Sequence, residues 1–175
     1  MKILIAYTSK NGTVRTCIER LCTSLNGLDV TVADLNMSTP NVADYDMVIL
    51  GGAVHFGKWM PAMRDFIKDQ YDALMQTKLG LFLCSGLAHE QEYYIEKLFT
   101  KELREHAFQT LYFGGSLRKD GLPFFDMLVV RHLRSIIIES EIDDGEYTPS
   151  MPGILLENIE KMGTYARKEL FREKE

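Results

Sequence analysis

Thr8-Ser9-Lys10-Asn11-Gly12-Thr13 gathers hydroxyl and amide donors into one short turn, directly after an apolar run. Thr8, Ser9 and Thr13 offer hydroxyls, while Asn11 and Gly12 let the backbone turn tightly with its N–H groups facing inward. A helix starting at Thr13 would add the positive end of its dipole, so Lys10 and its neighbours read as a phosphate cradle. The same residues also suit a plain strand-to-helix turn capped by Thr13 or Asn11. The turn lacks the Gly-Lys-Ser/Thr ending of a P-loop and the three glycines of a dinucleotide fingerprint.

A second segment, Gly51 to Trp59, mixes small residues with rings. Ala53, Val54, His55, Phe56 and Gly57 could form a platform for a flat ligand, with glycine letting the backbone approach it. His55 and Phe56 favour the ligand. Trp59 divides evenly between ligand contact and packing on the helix that follows. His55 as a general acid is the sharper reading, and a polar loop side chain the simpler one. In the third segment, Ser85, Gly86, Leu87 and Ala88 would leave room for one edge of a ring and supply backbone donors, or form an ordinary turn. No side chain is assigned a catalytic role. No metal is expected either, since the four histidines lack ligand spacing. Cys17, Cys22 and Cys84 lack the spacing of a redox or zinc pair and read as reduced thiols.

Positioning these segments requires an alternation of strands and helices. Lys2–Tyr7 is a nearly continuous apolar run, which suits a strand buried on both faces. Val14, Cys17, Ile18, Leu21, Cys22 and Leu25 fall on one face of a helix that Asn26-Gly27 can end. Further strands are expected at 29–35, 47–50 (stopped by Gly51-Gly52), 79–83 and 110–113. Helices are expected from Pro61 through Leu74, over 89–106 and over 154–171. Strand, helix, strand, repeated, predicts an α/β three-layer sandwich with a parallel sheet in order 2-1-3-4-5. The three loops then meet beyond the carboxyl ends of the strands, around the point where strand order reverses. A phosphate turn, an aromatic loop and a small-residue loop in that order suit FMN.

With 175 residues, 46% of them hydrophobic, the chain reads as one domain over 1–175 with an inserted segment at about 117–152. A net charge of −5 argues against nucleic acid as a partner. No stretch is long and apolar enough to span a bilayer, and the start shows no signal peptide, so a cytoplasmic location is expected. Within the insert, Phe125, Val129, Leu133 and Ile136 form a helical stripe, with Arg131, Arg134 and Ser135 opposite. A helix over 117–138 would need cover from the sheet edge or a homo-oligomer contact. Alternatively, 121–138 offers a basic-rimmed apolar surface to a quinone, a tetrapyrrole or the inner face of the cell membrane, as a peripheral contact.

Ile3-Leu4-Ile5-Ala6-Tyr7-Thr8-Ser9-Lys10-Asn11-Gly12-Thr13 resembles the phosphate-binding signature of flavodoxins, with Lys10-Asn11-Gly12 where Thr-Gly is usual. Over nearly its full length the chain resembles the oxygen-independent, menaquinone-dependent protoporphyrinogen oxidases, which are flavodoxin-like enzymes of bacterial haem synthesis. Tyr45 to Gly57, Gly114-Gly115-Ser116-Leu117-Arg118 and Phe125-Asp126-Met127 carry that resemblance. It implies an FMN-dependent oxidoreductase passing electrons from protoporphyrinogen to a quinone or another redox partner. A small electron carrier of the flavodoxin type is the alternative. By the same resemblance, Ser9 to Thr13 would hold the FMN phosphate, Ala53 to Gly57 would lie along the isoalloxazine, and Ser85 to Ala88 along its far edge.

Overall fold

The chain begins with a strand that has no polar face. In β1 (Lys2–Thr8) every residue from Ile3 to Thr8 is buried. A strand buried on both faces belongs at the centre of a sheet covered by helices on either side. The computed structural model, which describes residues 1–10, 12–86, 90–115 and 153–172, places it there. β1 pairs in parallel with β2 (Asp29–Asp34) on one side and β3 (Met47–Ala53) on the other. β4 (Lys78–Cys84) and β5 (Gln109–Tyr112) continue beyond β3, giving the expected order 2-1-3-4-5.

The period of two along each strand sorts its side chains between two cores. Ile3 and Ile5 of β1, Met47 and Ile49 of β3, and Phe82 of β4 face α1 (Thr13–Ser24) and the last described helix, α6 (Leu156–Leu170). Leu4, Ala6, Val48, Leu50 and Leu81 face the opposite core with Met63 and Phe66 of α2 (Pro61–Asp69) and Leu74 of α3 (Tyr71–Leu74). Pro at the first position of α2 suits a helix start, where its missing N–H costs nothing.

Several expected boundaries move. β3 does not stop at Gly51-Gly52 but runs through both to Ala53, because the glycines let neighbouring strands approach closely. The helix expected over 89–106 is two, α4 (Gln91–Leu98) and α5 (Lys101–His106). Thr100 breaks it by capping α5, its hydroxyl accepting from the Leu103 N–H at 3.3 Å. The helix expected from Pro61 through Leu74 divides at Gln70. After β5, Gly114–Gly115 (β6) does not extend the main sheet. It pairs antiparallel with Gly153–Ile154 (β7), so the described chain before and after the insert meets at a two-residue neck. The insert at 117–152, with its expected helix over 117–138, lies outside the described residues.

Candidate functional site

Two buried hydroxyls stand out at the carboxyl end of β1. Among the described residues, Thr8 Oγ1 and Ser9 Oγ find no hydrogen-bond partner although both are shielded from solvent. A buried hydroxyl without a partner is costly, so such an atom marks a place made for something else. Beside them Gly12 occupies the N-cap of α1 with φ 77°, a left-handed conformation that glycine adopts without penalty. Having no side chain, it leaves the first turn of the helix uncovered by a cap, and a Cβ built there meets nothing within 4 Å. Thr13 begins the helix half-buried. The capping alternative for Thr13 therefore gives way to Gly12. Asn11 lies outside the described residues.

Facing this cradle across the β1–β3 pair is the aromatic segment. Ala53 is the last residue of β3 rather than part of the loop, and the Val54 N–H donates to the Cys84 carbonyl at 2.9 Å. His55 and Lys58 then exchange both backbone hydrogen bonds, at 3.0 and 3.1 Å. The two residues between them have positive φ, Phe56 at 48° and Gly57 at 71°. That pattern is a type I′ turn, unusual in placing a bulky aromatic at its first central position. The strained turn holds the Phe56 side chain 57% exposed, with the His55 ring 4.3 Å away and tilted by 54°. Lys10 Nζ lies 3.3 Å from His55 Nε2, which ties the cradle to the aromatic turn.

Trp59 makes its hydrogen bond and its ring contact not on the helix that follows but at the end of α4. Its indole N–H donates to the Leu98 carbonyl at 2.8 Å, and its ring meets Phe99 edge-on at 5.1 Å. It fastens the chain before α2 to the end of α4. Trp59→Phe should remove that one hydrogen bond while retaining a ring, costing about 1 kcal/mol. The expected fall in melting temperature is about 2–4 °C; no fall would show the indole contact to be idle.

The third segment begins at Ser85, whose N–H donates to the Gly114 carbonyl at 3.1 Å and whose carbonyl accepts from the Tyr112 phenol. Gly86 follows it; Leu87 and Ala88 lie outside the described residues. Cys84, immediately before, is packed with Cys17 in one apolar cluster. The Cys17 thiol beside it and its own burial push the Cys84 thiol well up, so it stays protonated. This agrees with the reduced-thiol reading and with free cysteines throughout.

Sequence reasoning missed the contribution of α4. Built on Gly57, a Cβ would lie 3.5 Å from Lys97 Nζ and 3.6 Å from the Tyr94 ring, so α4 walls one side of the turn. Burial, and then a hydrogen bond with Glu90, raises the Tyr94 hydroxyl to about 12. Lys97 also sits over the Tyr93 ring at 5.1 Å. The Tyr93-Tyr94 pair on a helix with no buried residue was the available signal. Among the described residues there is no cluster of His, Cys, Asp or Glu able to hold a metal, and no helix long and apolar enough to cross a membrane.

The site thus presents a hydroxyl cradle, an exposed aromatic turn and a small-residue loop at one sheet edge. A family model described as a flavodoxin domain matches residues 4–142. Protoporphyrinogen IX dehydrogenase (quinone) of Escherichia coli strain K12 is 24% identical over 95 residues, which are 53% of this chain and 52% of that enzyme. The chain therefore matches about half the length of this curated relative. Among solved structures, the flavodoxin of Fusobacterium nucleatum bound to flavin mononucleotide superposes with a TM-score of 0.53 at 13% identity, over 96% of this chain and 98% of that one. The flavodiiron core of Synechocystis gives 0.54 at 14% identity, over 97% of this chain but 36% of that one. Rubredoxin:oxygen oxidoreductase of Desulfovibrio gigas gives 0.51 at 15% identity, over 79% of this chain and 35% of that one. At such identities these structures establish the fold.

Proposed function

The chain belongs to the flavodoxin domain family, and from that premise we propose that it is an FMN-dependent oxidoreductase passing electrons from a porphyrinogen-like substrate to a quinone. The observation that carries the cofactor is the pair of buried, partnerless hydroxyls of Thr8 and Ser9 beside an open glycine N-cap. A phosphate group there would accept from both hydroxyls and from the first N–H groups of α1, and would meet the positive end of that helix. Ser9, Lys10, Gly12 and Thr13 would hold the phosphate, with Asn11 between them. Val54, His55, Phe56 and Gly57 would lie along the ring, and Ser85 and Gly86 along its far edge. Leu87 and Ala88 stay in this set by sequence. When bound, FMN supplies reversible one- and two-electron transfer.

The residues of the chain bind, orient and shield. Phe56 presents its ring to one side of the site, and the Lys10–His55 contact holds the aromatic turn against the cradle. The porphyrinogen and quinone classes are supported by the similarity to the E. coli enzyme and by the basic side chains Lys10, Lys58 and Lys97 around the aromatic turn, which suit substrate carboxylates. The location is proposed to be cytoplasmic, with 121–138 as the segment for a membrane or subunit contact.

The test is anaerobic. Purified protein is titrated with FMN, reduced, and reoxidised with a menaquinone analogue in the presence and absence of protoporphyrinogen IX. One FMN per chain and quinone-dependent consumption of the porphyrinogen are expected. Failure to take up FMN would overturn the cofactor, whereas FMN uptake without porphyrinogen turnover would make the protein a small electron carrier. Phe56→Ala should change the oxidised-to-reduced affinity ratio for FMN by about 3- to 10-fold, since an aromatic pair is worth about 0.5–1.5 kcal/mol. Overall phosphate affinity should change less. A redox titration in which the midpoint potential does not move would remove Phe56 from the ring site.

A further inference from the structure

We propose that Tyr112 is a positioning residue of the cofactor site: it fixes the Ser85–Gly86 peptide so that the Gly86 N–H is presented to the edge of the flavin ring. This rests on the FMN reading above.

The geometry comes from a chain of hydrogen bonds at the carboxyl edge of the sheet. Tyr112 ends β5 and is buried, and its phenol donates to the Ser85 carbonyl. The Ser85 N–H is already committed to the Gly114 carbonyl, and the preceding carbonyl, of Cys84, accepts from Val54. Both peptide units around Ser85 are therefore held from the protein side. No described peptide bond is cis. In a planar trans peptide the C=O and N–H point in opposite directions. Once the phenol fixes the Ser85 carbonyl, the N–H of the same peptide, which belongs to Gly86, must point away from Tyr112.

A Cβ built on Gly115 would sit 2.6 Å from the Ser85 oxygen, so β6 lies beside that carbonyl. Tyr112 is itself anchored, its carbonyl accepting from Asn158 Nδ2 at 2.7 Å. Burial pushes the phenol above its ordinary range, with Cys84 adding to the effect, so the donor proton is retained at neutral pH. A phenylalanine here would fill the same space and pack equally well. The hydroxyl is what orients the peptide.

A fixed N–H at the ring edge stabilises the more electron-rich, reduced flavin over the oxidised form. Tyr112→Phe frees the peptide and should lower the reduced-to-oxidised affinity ratio about tenfold, which for a two-electron couple is about 30 mV. The experiment compares flavin midpoint potentials of wild-type and Tyr112→Phe holoprotein. It also follows amide hydrogen exchange in the wild type with and without FMN. Expected results are a lowered potential in the variant, a Ser85 amide protected in both wild-type states, and a Gly86 amide protected only when FMN is bound. An unchanged potential, or a Gly86 amide indifferent to FMN, overturns the inference, and the exchange measurement decides should the variant fail to fold. Wild-type protein that takes up no FMN overturns the function reading and this inference with it. Protein that takes up FMN normally and shows no Gly86 protection overturns the inference alone.

Discussion

Ser9→Ala should bind FMN about 10 to 100 times more weakly than the wild type and yet unfold at the same or a higher temperature. The two halves of this expectation come from one atom. Without a ligand, Ser9 Oγ is shielded from water and has no partner among the described residues. A buried polar atom in that condition costs about 1–3 kcal/mol, and removing it relieves the cost. With a phosphate in the cradle the same hydroxyl donates to a charged acceptor, worth about 1.5–3 kcal/mol, or one to two decades of affinity. Stability and affinity are thus expected to move independently, which a residue of the ordinary core would not allow. Thr13→Ala, at the half-buried start of α1, should lower FMN affinity in the same way. The check is a pair of measurements on apo-protein: a melting curve and an FMN titration. A Ser9→Ala protein that melts lower and binds FMN normally would show the hydroxyl to be structural.

The largest loss of stability should come from Gly51→Ala, a change of one methyl group. β3 is the middle strand of the sheet, and a Cβ at Gly51 would lie 2.0 Å from the Phe82 carbonyl oxygen and 2.7 Å from two carbons of its ring. Neither neighbour can yield. The carbonyl belongs to β4, paired in register with β3 from Met47 to Ala53. The ring is fully buried and stacked on Phe113, with centroids 4.7 Å apart. Overpacking of a core costs about 1–3 kcal/mol where side chains can repack, and more where backbone must move. We expect at least about 3 kcal/mol from a total of about 5–15. The melting temperature would fall by about 6–12 °C. An unchanged melting curve would mean that β3 and β4 separate without loss, contrary to their register.

The same residue shows where reading the sequence stops. Gly51-Gly52 after four apolar residues looks like punctuation, and a strand ending at Leu50 follows from the usual role of glycine. The structure uses the pair for close approach instead, at Gly51 to Phe82 and at Gly52 to Thr8. Only the neighbouring strands reveal that need, and they are distant in sequence. By contrast, β1 and α1 were legible because their patterns are local. A short continuous apolar run ending in a polar turn suits a covered strand, and Val14, Cys17, Ile18 and Leu21 are buried as their spacing requires. The break at Thr100 was missed, because the apolar spacing of Ile95, Leu98, Phe99 and Leu103 reads as one helix and hides the capping residue before Lys101. Of the site, the cradle and the aromatic turn could be found from residue types following a strand. Trp59 could not be assigned, because its partner, the Leu98 carbonyl, lies on a helix 39 positions away. Tyr112 gave no signal at all. An aromatic residue near a strand end is ordinary, and only its bond to Ser85 gives it meaning.

The neck formed by Gly114–Gly115 and Gly153–Ile154 bears on how such a domain can change over time. Its two strands are so close that a Cβ on Gly114 would lie 2.0 Å from the Gly153 oxygen, so this pairing tolerates no side chain there. Entry and exit of the intervening sequence are held together by the domain itself. The entropy of closing a loop grows only slowly with its length, and here the domain supplies the closure. Residues can therefore be gained or lost between the two glycine strands while β5 and α6 keep their places. The neck is a splice point: evolution, or an engineer, can exchange sequence between its two strands, and because Gly115 lies against Ser85, whatever is grafted there starts beside the candidate site.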